Sequence, residues 1–315
     1  MKILVTGATG FIGTALVRLL AQQGHTLILV RHNVSHGHPQ HNMHAIDLAT
    51  PPHWLPLLKD CDAVVHLAAR VHVMKETAAD AAEAYFKINA DATKHLAEQA
   101  VKAGVKRFIY LSSLKVSGEQ NINGRAFVED DAPQPEGAYA QSKHQAERAL
   151  FQLAQNSGMD VVIIRPPLVY GANVRANFLS LLKFVSRGIP LPFKGVNNVR
   201  SYLYVGNLVH FISVCLTHPK AANQLFLVSD GRDFSTPDLI AKCAEALDAK
   251  LRLIAFPQSW LGFFCKIFGK SALYQRLCGD LSVDISKAKS RLDWQPPYSI
   301  EEGLAATAQA FKRKK

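Results

Sequence analysis

Three side chains in the middle of the chain have the types and spacing to move a proton. Tyr139 and Lys143 stand at i and i+4 in Tyr139-Ala-Gln-Ser-Lys143, inside a predicted helix over 138–157, so both occupy one face. A free phenol titrates near about pH 10 and is a poor proton shuttle at neutrality. A neighbouring ammonium stabilises the phenolate and lowers that value, which is the part expected of Lys143. Ser113 closes a predicted strand over 107–113 and can donate a hydrogen bond to a carbonyl or alcohol oxygen. The trio suits the interconversion of an alcohol and a carbonyl: Tyr139 moves the proton, Ser113 orients the oxygen, and a hydride carrier completes the step. Tyr-x-x-x-Lys alone is common by chance, but Ser112-Ser113 on the preceding strand makes the set specific.

The start of the chain supplies a place for the hydride carrier. The apolar run Ile3 to Val5 reads as a buried strand, and it leads through Gly7, Gly10 and Gly13 into an apolar-periodic helix. Strand, glycine turn and helix form the opening of a dinucleotide-binding unit. Gly7 permits the turn, Gly10 lets a pyrophosphate approach the backbone, and Gly13 allows close helix packing. The N–H groups of Thr9, Gly10, Phe11, Ile12 and Gly13 then lie where a helix start attracts phosphate. The second strand, 26–30, ends on Arg31, where an acidic residue would accept the ribose 2′-hydroxyl of NAD. Arginine pairs instead with a 2′-phosphate, so NADP is expected ahead of NAD. The bland alternative has Arg31 facing solvent or stacked on adenine. Asp47-Leu48 is expected at the adenine edge. Leu67, Ala68 and Ala69 are expected to run close to the nicotinamide half, with Lys143 holding the ribose. Asn89 and Pro166 complete the expected cofactor contacts.

The elements that must position these residues alternate. Strands are predicted at 43–46, 63–67, 107–113 and 160–165, with helices over about 79–103 and 138–157 between them. That alternation makes an α/β fold, a Rossmann-type doubly wound parallel sheet. From about Pro166 proline and glycine become frequent and helices dominate. The expected division is a dinucleotide-binding domain over 1–165 and a smaller mixed α/β substrate domain over 166–315, with 200–218 packing back on the first.

Composition narrows the rest. The chain has 315 residues with 48% hydrophobic and 19% charged content, ordinary for a globular protein, and a net charge of +11 that suits an anionic ligand or surface. No finger spacing, arginine-rich run or basic-aromatic ladder points to nucleic acid, and Lys312-Arg313-Lys314-Lys315 reads as a solvated tail. The five cysteines form no CxxC pair, so reduced thiols and a cytoplasmic location are expected. The chain opens on its first strand, which predicts no signal peptide. No apolar run reaches the roughly 20 residues of a membrane span. The loop with His32, His36, His38, His41 and His44 offers imidazoles without a carboxylate or thiol set, so no metal is expected.

Taken together, Thr6-Gly-Ala-Thr-Gly-Phe-Ile-Gly13, Asp47-Leu48, His66-Leu-Ala-Ala69, Ser112-Ser113, Tyr139 with Lys143, Arg165-Pro166, Val169-Tyr-Gly171, Arg200-Ser-Tyr-Leu-Tyr-Val205 and Asp284-Ile-Ser-Lys-Ala288 span nearly the whole chain. In order and spacing the chain resembles the extended short-chain dehydrogenase/reductases of the NAD-dependent epimerase/dehydratase family. The resemblance implies two domains with a nucleotide sugar between them, catalysis by Ser113, Tyr139 and Lys143, and a homodimer. It gives Arg200 the diphosphate, Asn177 a hydrogen bond to substrate, and Asp284 the uridine or ribose. Three departures matter. Arg31 replaces the usual acidic residue, Ser117-Gly118 replaces a Tyr-Gly pair, and Leu114-Lys115 stands where dehydratases carry Asp-Glu. Water elimination needs an acid and a base, so a 4,6-dehydratase is not expected.

Within that family the chain is most similar to bacterial members that reduce UDP-4-keto-6-deoxy-N-acetylhexosamines for lipopolysaccharide O-antigen and related polysaccharides. The stretches 67–74, 113–119, 175–178 and 228–231 carry that similarity. A 4-ketoreductase consumes NADPH at each turnover, whereas a UDP-glucose or UDP-N-acetylglucosamine 4-epimerase retains its cofactor. Arg31 favours the ketoreductase, with the epimerase as the alternative. A dinucleotide-binding scaffold without turnover is disfavoured by the intact Ser113, Tyr139 and Lys143. The apolar run 260–268, flanked by Lys266 and Lys270, is expected to pack on the substrate domain or at a dimer contact. No stable membrane insertion is expected, and a weak peripheral contact of an interfacial helix is the alternative.

Overall fold

Strands buried on both faces carry apolar side chains at every position. The computed structural model, which describes residues 1–32, 42–71, 78–121, 123–267, 269 and 271–313, shows this in its central sheet. The expectations for His36, His38, His41, His72 to Met74, Phe268, Lys270, Lys314 and Lys315 lie outside the described residues. In β1 (Lys2–Thr6), Ile3 and Val5 enter the core on one side while Leu4 enters that on the other. The chain continues through α1 (Phe11–Gln22), β2 (Thr26–Arg31), β3 (Asn42–Ala45), α2 (Leu55–Leu58) and β4 (Ala63–His66). Next come α3 (Ala78–Phe86), a π turn (Lys87–Asp91) and α4 (Ala92–Lys102), then β5 (Arg107–Leu111), α5 (Gly137–Gln155) and β6 (Asp160–Arg165). The predicted long helix is thus one helical run, interrupted at Asn89 by a wider turn.

The remaining elements are β7 (Leu168–Tyr170), α6 (Ala176–Ser186), β8 (Tyr202–Tyr204), α7 (Val205–Thr217), β9 (Gln224–Leu227), α8 (Thr236–Leu247), α9 (Gln258–Ile267), α10 (Ser271–Cys278), α11 (Ser286–Leu292) and α12 (Ile300–Lys312). The main sheet runs β3-β2-β1-β4-β5-β6-β9 with every pairing parallel. This is a Rossmann-type α/β fold, with the strand order reversing at β1. Helices α1, α7 and α11 cover one face and α2, α4 and α5 the other. A third core joins α6, α8 and α12 around Tyr170 and Tyr202.

Two features depart from the sequence expectations. The strands named from the sequence end at 160–165, with a helix-dominated mixed α/β region after them, yet β9 joins the main sheet, pairing with β6 from Val162↔Gln224 to Arg165↔Leu227. The four residues of β9 are too short a run to show a period. The fifth strand also stops at Leu111, two residues before Ser113. No helix among the described residues is long and apolar enough to cross a membrane.

Candidate active site

The turn after β1 is built by exclusion of side chains. Gly7 has φ +70°, and a Cβ on it would lie 2.8 Å from the Ala68 amide nitrogen in the loop after β4. A Cβ on Gly13 would lie 2.1 Å from the Gly7 carbonyl oxygen, so Gly13 closes the helix onto its own loop. Gly10 is exposed and is the N-cap of α1, with no side chain capping the helix. The first-turn N–H groups are therefore presented beside a surface without a Cβ, which fits a dinucleotide pyrophosphate. Thr9 is exposed and Phe11 and Ile12 are half-buried at the same helix start. Gly13→Ala is expected to displace this loop. Dinucleotide affinity, measured by titration calorimetry, should fall at least about tenfold, and affinity within a factor of two of wild type would refute the packing argument.

The other expected cofactor residues surround the C-terminal ends of the same strands. Arg31 ends β2, and its carbonyl accepts a hydrogen bond from the Ile46 amide. Asp47 is exposed 3.7 Å from the His32 ring, and Leu48 packs into the core beneath it. Leu67, Ala68 and Ala69 are half-buried after β4.

This loop is held by a chain of hydrogen bonds that the sequence reading missed. The Ala68 amide donates to Thr6 Oγ1 at 3.2 Å, Thr6 Oγ1 meets His66 Nδ1 at 2.6 Å, and His66 Nε2 meets Thr93 Oγ1 at 2.9 Å. Thr93 gives its own proton to the Asn89 carbonyl at 2.8 Å, so His66 donates from Nε2 and accepts at Nδ1. Burial, with Lys143 nearby, lowers the His66 pKa to about 3, so the ring stays neutral and the polarity of the chain is kept. Asn89 is fully buried; its amide bonds the Arg70 N–H at 2.8 Å, the Arg70 carbonyl at 3.1 Å and Ser142 Oγ at 3.1 Å. Those partners occupy the Asn89 amide with the loop and α5, so it positions the cofactor-side loop from beneath.

Ser113 lies just past β5, in extended conformation, capping a short 3₁₀ turn over Leu114–Val116. Burial pushes the Tyr139 phenol above its ordinary value, and the neighbouring Ser113 hydroxyl draws it part of the way back. This corrects the expected lowering by Lys143. The Lys143 ammonium, 2% exposed, instead donates to the Leu111 carbonyl at 2.9 Å and lies 4.5 Å from the centre of the Tyr110 ring. Tyr85, which the sequence reading missed, meets the Tyr139 ring edge-on at 6.1 Å.

Burial lowers the Lys143 pKa to about 7, with Glu147 opposing the shift. Between that value and the ordinary 10.5 the unfolded chain binds a proton that the folded chain does not. Folding stability gains from this group as pH rises through the window and loses it as pH falls toward 7. The unfolding free energy of wild type relative to Lys143→Met should therefore increase from pH 7 to 9.5, by about 1.4 kcal/mol per unit at most. A pH-independent difference in chemical denaturation would contradict the shift.

One helical turn beyond Lys143, Glu147 forms a bidentate buried pair with Arg165 at the end of β6, at 2.9 and 2.6 Å. Ser112 Oγ donates to Glu147 at 2.5 Å, and Arg165 donates to Ser117 Oγ at 3.1 Å. This cluster fixes α5 against the strand ends on both sides of Ser113. The i+4 spacing of Glu147 from Lys143 was the available sequence signal.

Beside the trio opens a cleft of about 510 Å³, lined on one side by Ser113, Lys115 and Pro166 and on the other by Asn177, Arg200 and Arg276. The Pro166 carbonyl accepts from the Leu114 amide at 3.0 Å, which ties the 3₁₀ turn to the strand beside it. Asn177 is exposed in the first turn of α6. Arg200 is mostly buried and donates to the Gly279 carbonyl at 2.7 Å. Lys115 pairs with Glu119, which also lines the cleft. Asp284 is not among the lining residues; its carboxylate accepts from the Ser286 amide at 2.6 Å, at the start of α11.

Known proteins are similar to this chain over nearly its whole length. The profile of the NAD dependent epimerase/dehydratase family matches residues 3–229. A UDP-glucose 4-epimerase of Vibrio cholerae is 46% identical over 98% of this chain and 95% of its own. A 4-epimerase of N-acetyl-α-D-glucosaminyl-diphospho-ditrans,octacis-undecaprenol from Escherichia coli O157:H7 is 28% identical over 98% of this chain and 94% of its own. The structure of MoeE5 in complex with UDP-glucuronic acid and NAD superposes with a TM-score of 0.80 at 25% identity, covering 100% of both chains.

Proposed function

The chain belongs to the NAD dependent epimerase/dehydratase family, and from that premise we propose that it is an NAD-dependent epimerase acting at C4 of a UDP-linked hexose or N-acetylhexosamine. The observation that carries this reading is the end-to-end 46% identity to the Vibrio cholerae UDP-glucose 4-epimerase, joined to an intact Ser113, Tyr139 and Lys143. NAD, when bound, supplies hydride acceptance and return at C4. Tyr139 takes the C4 hydroxyl proton on oxidation and gives it back on reduction. Ser113 holds the C4 oxygen, and Lys143 holds the cofactor ribose. Arg200 reaches the diphosphate from the far wall of the cleft, where a guanidinium can pair with two oxygens. Asn177 bonds the sugar side of the substrate.

The test is incubation of purified protein with UDP-N-acetylglucosamine and with UDP-glucose, followed by proton NMR for the C4 epimer. Epimer formed without net change in cofactor redox state supports the proposal; no epimer from either sugar rejects it. Arg31 favours a second reading, in which NADPH reduces a UDP-4-keto-6-deoxy-N-acetylhexosamine at C4. Stoichiometric NADPH oxidation with that keto sugar, and no epimerisation, would replace the first reading by the second.

A further inference from the structure

We infer that the exposed face of α9 docks on an anionic phospholipid bilayer and presents the mouth of the cleft to the membrane surface. Trp260, Phe263 and Ile267 stand at i, i+3 and i+7, a single helix face, and are 57%, 57% and 60% exposed. The opposite side of the helix is held to the substrate domain through Leu261, and a Cβ on Gly262 would lie 3.3 Å from the Tyr274 ring of α10. Leu261 thus packs on its own chain, as one branch of the expectation has it, and Trp260, Phe263 and Ile267 present the face that a dimer contact or a bilayer would cover. Leu251 and Ile254 are exposed too, and Ile254 is joined to the edge of the cleft by its amide bond to the Leu191 carbonyl at 3.0 Å.

Charge complementarity selects the occupant. Residues 249–279 carry Lys250, Arg252, Lys266, Lys270 and Arg276, and residues 171–200 carry Arg175, Lys183, Arg187, Lys194 and Arg200. Neither stretch contains an Asp or Glu. The two stretches are paired by backbone hydrogen bonds, Leu191 to Arg252 at 2.9 Å and Lys194 to Ile254 at 3.3 Å. Aromatic and aliphatic side chains on one face, with Lys266 on the same helix and a cation-rich segment bounded by Asp248 and Asp280, match a headgroup layer that is anionic above an apolar interior. A ten-residue helix cannot span that layer and lies along it. Arg276 and Leu277 of α10 line the cleft, so a bilayer touching α9 sits at its rim. That arrangement would admit a sugar diphosphate carried on a lipid as readily as a soluble one.

The experiment is cosedimentation of the full chain with vesicles of phosphatidylcholine, with and without about one-third phosphatidylglycerol, at low and high salt. Wild type is compared with Trp260→Ser/Phe263→Ser, both exposed positions outside the cleft. Trp54 and Trp294 are buried, so a blue shift of tryptophan emission on adding vesicles reports on Trp260. The expected result is wild-type binding to anionic vesicles at low salt, lost at high salt or on neutral vesicles, and weakened about tenfold in the double variant. Turnover of a soluble nucleotide sugar without vesicles should be equal in both proteins, which separates this inference from the proposed activity. No wild-type binding at low salt overturns the inference, and so does equal binding by the double variant. A wild-type dimer that the double variant turns into a monomer, without vesicle binding, assigns the face to a second copy and overturns it too.

Discussion

Tyr139→Phe should lower kcat on a UDP-sugar by roughly 10²- to 10⁴-fold, the usual range for losing a positioned general acid–base, with Tm unchanged. The hydroxyl is the one atom removed. The ring keeps its edge-on contact with Tyr85 at 6.1 Å, so packing around the site survives. What is lost is the proton carrier beside Ser113 that would meet the substrate oxygen. Because burial raises the Tyr139 pKa, the group is a protonated phenol at neutral pH and stands ready as the donor in the reducing half of the reaction. Dinucleotide binding should stay within a factor of about two, since the glycine turn and the Asn89 brace are untouched. Steady-state kinetics and calorimetry on the same preparation check both halves. A variant with kcat within threefold of wild type would remove Tyr139 from the chemistry and reopen the reading of this chain as a dinucleotide-binding scaffold.

The second large effect concerns stability. Glu147 and Arg165 are each 3% exposed at the side chain and neutralise one another. Arg165 lowers the Glu147 pKa against the burial that raises it. Arg165→Leu leaves a carboxylate in the interior, bonded to Ser112 but without its cation. Breaking one partner of such a pair costs about 3–5 kcal/mol, whereas replacing both by apolar groups is often close to neutral. For a chain of this size the single variant should lose about 5–8 °C in Tm. Arg165→Leu/Glu147→Leu should recover most of that loss. A single variant within about 1 kcal/mol of wild type, or a double variant no better than the single, would show that the pair does not brace the site. The single variant should also lose kcat beyond its stability loss, because Ser112 adjoins Ser113 and is tied to Glu147 at 2.5 Å.

The sequence alone determined those parts of this protein that short-range patterning encodes. Apolar runs such as Ile3 to Val5 and 160–165 read as buried strands because both their faces meet a core. The glycine turn declared itself because Gly7, Gly10 and Gly13 tolerate backbone approaches that a Cβ forbids. Tyr139 and Lys143 shared a face because helical periodicity is local. From these the Rossmann architecture and the family could both be read before any coordinates. Tertiary structure alone decided what depends on residues distant in sequence. It placed β9 at the sheet edge beside β6, although four residues cannot display a period. It set Asn89, within the π turn, against Arg70 and Ser142. It also sent the Lys143 ammonium to the Leu111 carbonyl, because the direction of a buried side chain is set by whichever partners the folded chain brings within reach, and no spacing rule contains them.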